Sequence, residues 1–109
     1  MKWLLLALAL VGCHRGEQAP ARNEFGDAYR LDITNLCDAV KLSGADKIAD
    51  DQRIPLIAMW LGPHIKTNEG RDFLVHIQPL TGEAKAKALE DEARRVGLPG
   101  CALAAEWRK

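Results

Sequence analysis

Apolar residues recur at three- and four-residue intervals through most of the chain, and no long stretch alternates as a half-buried strand would. That period predicts an all-α fold. Within 26–43, Tyr29, Ile33, Leu36, Cys37 and Val40 fall on one helical stripe, and Ser43-Gly44 ends it, with glycine suited to a left-handed cap. A second helix is predicted over 51–62, capped by Asp50 or Asp51, with Pro55 near its first turn and Gly62-Pro63 as its stop. Ile54, Leu56, Ile57, Ala58, Met59, Trp60 and Leu61 cover most of its circumference, which marks it as the central helix. Thr67 opens a third helix over 68–78, with Phe73, Leu74, Ile77 and Leu80 inward and Pro79 at its end. Thr81 caps a fourth over 82–96, turning Ala84, Ala88, Leu89, Ala93 and Val96 inward, with Gly97 as the residue after its cap. Leu98-Pro99-Gly100 leads into a short last helix over 101–107, where Leu103 and Trp107 stand one turn apart. The predicted architecture is a small bundle of four to five short helices.

The first part of the chain is built differently. Met1-Lys2 supplies a positive end, Trp3 to Val11 is an unbroken apolar run of about nine residues, and Gly12-Cys13 is followed by polar residues. A helix needs about 20 apolar residues to span a bilayer, so the run reads as a secretory signal rather than an anchor. Residues 14–23 carry no large apolar side chain and are expected to form a flexible tether with a reach of roughly 15–20 Å.

Leu10-Val11-Gly12-Cys13 resembles the lipobox of bacterial lipoproteins: a Leu, a small or branched residue, a Gly or Ala, then Cys. The resemblance implies a diacylglyceryl group on the Cys13 thiol, cleavage between Gly12 and Cys13, and acylation of the new amino group. One acyl chain anchors only marginally, whereas two anchor stably. The chain then divides into a signal peptide (1–12), a lipidated cysteine with its tether (13–23) and a helical domain (24–109), held to the membrane through Cys13. The family's sorting rule in enteric bacteria retains Asp-bearing proteins in the inner membrane. His14 in that position implies the outer membrane, with the domain facing the periplasm. The helical part is similar to small two-cysteine helical lipoproteins of unknown function.

Lipid on Cys13 would leave Cys37 and Cys101, and an exported domain meets an oxidising compartment. The expectation is one disulfide, Cys37–Cys101, stapling the last helix to the first. Closing a loop of about 64 residues is worth about 4 kcal/mol, an upper estimate. A redox pair, or free or intermolecular thiols, are the alternatives. Against redox chemistry, the cysteines are far apart in sequence and Cys37 falls mid-helix.

Fifteen basic and fifteen acidic residues cancel, which excludes the basic footprint of a nucleic-acid binder. The 48% apolar content in 109 residues supports one small domain. Neither His64 nor His76 has a His or Glu four residues away, so no metal site is expected. Asp50-Asp51 and Glu90-Asp91-Glu92 suit capping and a solvated helix face. Ser43, the single serine, has no catalytic motif around it, and no glycine-rich phosphate loop exists. Trp60 and Trp107 are the candidate partner anchors if either is exposed. A full core in so short a chain is expected to leave little volume for a pocket. These features point to a non-catalytic envelope lipoprotein, a binding or structural module without cofactor, whose partner is an envelope protein or the cell wall. A small periplasmic enzyme or thiol-redox factor is the alternative.

Overall fold

A computed structural model describes residues 26–109, so the expected signal peptide, Cys13 and the expected tether lie outside the described residues. The described residues form six α-helices and one 3₁₀ turn, with no strand among them. The helices are α1 (Asp27–Cys37), α2 (Ala39–Leu42), α3 (Asp50–His64), α4 (Asn68–Ile77), α5 (Gly82–Arg95) and α6 (Ala102–Trp107), and the turn is Ala45–Lys47.

The predicted stripe of the first helix is buried at every position: Tyr29, Ile33, Leu36, Cys37 and Val40. The helix itself breaks in two at Asp38, where the backbone leaves the helical region (φ −94°, ψ 6°). Aspartate is a poor interior helix residue because its side chain competes for nearby backbone groups. Cys37 is therefore the last residue of α1 rather than a mid-helix residue. It is bonded to Cys101, the N-cap of α6, with a Cα–Cα distance of 4.5 Å. The expected disulfide thus pins the C-terminus of α1 to the start of α6.

The centre of the bundle is α1, which packs against α3, α4, α5 and α6. This corrects the expectation that the second predicted helix is central. Only Ile57 and Leu61 of α3, one turn apart, are buried. Ile54 and Met59 remain 47% and 75% exposed, because the neighbours of α3 reach one of its faces and leave the rest open. Its boundaries also differ. Ala49 is the N-cap, without a side-chain bond, and Asp50 and Asp51 lie inside the first turn, where their charge favours the helix N-terminus. Pro55 therefore sits in the second turn. The N–H it lacks would have met the Asp51 carbonyl, which lies on the exposed face where water can replace it. The helix also runs through Gly62-Pro63 to His64.

The inward face of α5 is Ala86, Leu89 and Ala93, continued by Val96, whereas Ala84 is exposed and Ala88 half-buried. The 3-4-3 spacing of the buried set is a single stripe; Ala84 falls off it. Gly97 adopts φ 90° and closes a Schellman motif: its N–H donates to the Arg94 carbonyl and that of Leu98 to Ala93 (3.0 and 2.8 Å). From α1, Arg30 Nε donates to the Val96 carbonyl at 2.8 Å and ties this end to the centre.

Candidate functional site

Helices α3 and α4 are joined by a three-residue link, yet they splay apart, each resting on α1 rather than on the other. Their divergence leaves an open apolar trough with a volume of about 330 Å³. The buried Ile57, Leu61 and Ile77 contribute to its lining, and Ala58 and Val75 are among the exposed residues at it. Lys85 of α5 and Trp107 of α6 also line it, and the Lys85 ammonium lies 4.9 Å from the centre of the Trp107 ring. The expectation of little pocket volume is thereby corrected: the surplus apolar surface of α3 becomes the wall of a trough instead of core.

Of the two tryptophans singled out in the sequence, Trp107 reaches the trough and Trp60 does not. Trp60 is half-buried and stacks on His64 one turn later, with ring centres 3.9 Å apart and planes within 8°. His64 Nδ1 lies 2.6 Å from the Trp60 carbonyl, which ties the ring to the last turn of α3. His76 is exposed on α4. Among the described residues no three His, Cys, Asp or Glu side chains are grouped to hold a metal ion. The Ser43 hydroxyl accepts from the Ala45 N–H at 3.2 Å and so shapes the turn after α2.

The acidic clusters enter ion pairs. Asp50 meets Arg53 at 3.0 Å, and Asp91 meets Lys87 at 2.8 Å. Glu90 and Glu83 share Arg108, at 2.6 and 2.7 Å, which clamps the C-terminus onto α5. Hydrogen bonds from Arg108 hold the Glu83 and Glu90 carboxyls below the usual range, and the Lys87 bond does the same for Asp91. Glu92 is lowered chiefly by Arg95 and also accepts the Tyr29 hydroxyl. Burial, then the bond to Glu92, pushes the Tyr29 phenol well above its ordinary value.

Two buried charges escaped sequence reasoning. Asp32 of α1 is 1% exposed and accepts hydrogen bonds from the N–H groups of Lys66 and Thr67 and from the Thr67 hydroxyl, at 2.9, 2.8 and 2.6 Å. Thr67 in turn accepts from the Gly70 N–H at 2.9 Å, the predicted cap of α4. Asp32 therefore sets where the α4 wall of the trough begins. A signal for it existed: Asp32 interrupts the stripe of Tyr29, Ile33 and Leu36. Glu106 of α6 meets Arg53 of α3 at 3.2 Å and Lys109 at 3.3 Å. The Arg53–Glu106 pair ties the Trp107-bearing helix to α3.

No family model, curated protein or solved structure matches the chain.

Proposed function

We propose that the chain is a lipid-anchored protein of the bacterial envelope whose helical domain is a non-catalytic binding module, with the α3–α4 trough as its binding surface. The observation that carries this reading is Leu10-Val11-Gly12-Cys13 at the end of a short apolar run. The Cys37–Cys101 bond supports it in two ways. A structural disulfide belongs to an oxidising compartment. It also takes up two of three cysteines, leaving Cys13 over for other chemistry.

The trough supplies aliphatic and aromatic surface with one amide, Gln78, and one ammonium, Lys85. That set of groups suits holding an apolar group of another envelope component. Lipid at Cys13 and a short tether keep the trough close to the bilayer, and His14 favours the outer membrane with the domain in the periplasm.

The test is photo-crosslinking in intact cells from a photoreactive residue at Val75, which is 66% exposed on the trough rim, with Glu69 near the start of α4 as control. The reading expects a discrete adduct from Val75 and none from Glu69. Equal yields from both sites, or none, contradict it. On a density gradient the protein is expected with outer-membrane markers. Recovery with inner-membrane markers contradicts the sorting, and recovery in the soluble fraction contradicts the anchor.

A further inference from the structure

We propose that the α3–α4 trough binds a single-chain carboxylate amphiphile, a fatty acid, with its alkyl chain between the helices and its carboxylate on Lys85. This rests on the trough being the binding surface, as proposed above, and adds the chemistry of its occupant.

The trough's size and lining argue for the chain. At about 330 Å³ it stands at the low end of small-molecule sites, about 300–1,000 Å³, which suits one alkyl chain rather than the two of a phospholipid. Its wall is aliphatic along both helices, with Ile54, Ile57 and Leu61 on α3 facing Leu74, Val75 and Ile77 on α4.

The charge argues for the head. Lys85 is half-buried, and the Trp107 ring is its one close partner among the described residues. No carboxylate lies within ion-pairing distance of it there, although Lys87 on the same helix is paired with Asp91 and Lys109 with Asp50 and Glu106. A half-buried ammonium in the lining of an apolar trough favours an anion that brings its own apolar body, since charge-assisted hydrogen bonds are the strong ones. Acids do stand nearby. Asp50, Asp51 and Glu106 line a neighbouring hollow that shares Trp107 and Ile54 with the trough. Asp50 and Glu106 are already neutralised by Arg53 and Lys109.

The experiment uses the full chain in native membranes and two photoreactive probes, hexadecanoic acid and hexadecanol, each with a mid-chain diazirine and a terminal alkyne. The acid is expected to give light-dependent adducts on tryptic peptides 54–66 and 72–85, displaced by unlabelled hexadecanoic acid. The alcohol is expected to label about tenfold less, and Lys85→Glu to reduce acid labelling about tenfold, as loss of one charged hydrogen bond would. Lys85→Arg retains it. Ala58→Trp, on an exposed wall position, abolishes it while leaving the melting temperature unchanged. Equal labelling by acid and alcohol, or indifference to Lys85→Glu, overturns the proposal and leaves the trough as a binding surface. No probe adduct, together with a protein adduct from Val75, overturns it in favour of a protein occupant. Neither kind of adduct overturns both this proposal and the reading beneath it.

Discussion

Asp32 Oδ2 accepts two hydrogen bonds from one residue, Thr67: one from its N–H at 2.8 Å and one from its hydroxyl at 2.6 Å. The same hydroxyl caps α4 through Gly70. A buried carboxylate is costly unless its lone pairs are satisfied. Here three donors satisfy it, and the positive end of α4 adds to them. One side chain of the central helix thereby fixes where α4 starts and how it leaves α3. The trough depends on that departure.

Asp32→Ala is expected to destabilise the fold by about 3 kcal/mol, since it leaves donors at the α4 start without their acceptor. Asp32→Asn sets its amide donor against the N–H of either Lys66 or Thr67 and is expected to recover only part of this. Gly70→Ala tests the same junction, because a Cβ there would lie 2.5 Å from Asp32 Oδ2 and 2.9 Å from Ile65 Cγ2. It should cost about 1–3 kcal/mol. Denaturant titration reads both; a change below about 0.5 kcal/mol, the scale of neutral surface changes, contradicts the assignment.

Reduction of Cys37–Cys101 is expected to lower the melting temperature sharply, with an upper estimate of about 4 kcal/mol for the lost loop constraint. The loss should appear first as faster amide exchange in α6, which the bond holds to α1. An unchanged melt contradicts a structural disulfide. Fast exchange with a thioredoxin-type reductant indicates a redox role instead.

Stability should fall at both ends of the pH scale. The Glu83, Glu90, Asp91 and Glu92 carboxyls are lowered by folding. Their contribution is complete above the ordinary carboxylate range, about pH 4–4.5, and is lost as pH falls through their lower folded values. The Tyr29 phenol is raised by folding. Its contribution is complete below the ordinary tyrosine value of about 10 and is lost as pH rises toward the folded value. Tyr29→Phe should flatten the alkaline limb and, by removing one hydrogen bond to Glu92, weaken the acid limb slightly. An unaltered alkaline limb in that variant contradicts the Tyr29 assignment.

The edge position of α3 gives a paired prediction. Leu61→Ala, at a buried core position, should cost about 2–5 kcal/mol. Met59→Lys, at an exposed one, should stay within about 0.5 kcal/mol of neutral. A large loss from Met59→Lys in thermal or chemical melts contradicts the exposed face.

Local signals were legible in the chain. The stripe from Tyr29 to Val40, the Thr67 cap and the Gly97 turn follow from spacing and residue type, and the pairing of Cys37 with Cys101 is expected from the cysteine count and the export that the leader implies. The role of α3 was not. Periodicity records which faces of a helix are apolar, and it cannot say which will find a neighbour. Ala86 displaced Ala84 for a related reason: both suit a helix interior, and only packing against α1 and α6 chooses the stripe. The trough was illegible because it arises from the angle between α3 and α4, set by the contact of Asp32 with Lys66 and Thr67 across 34 and 35 residues. Trp107 was named for its residue type; its place beside Lys85 comes from the return of α6 along α5.

The central claim is an envelope domain held by lipid at Cys13, and metabolic labelling with radioactive palmitate tests it most directly. The full chain is expected to incorporate label that resists hydroxylamine in part, as amide-linked acyl groups do, and to remain with membranes after washing. Cys13→Ser is expected to abolish both labelling and retention while leaving the Cys37–Cys101 bond intact. Equal labelling of the wild-type and Cys13→Ser chains would contradict the account.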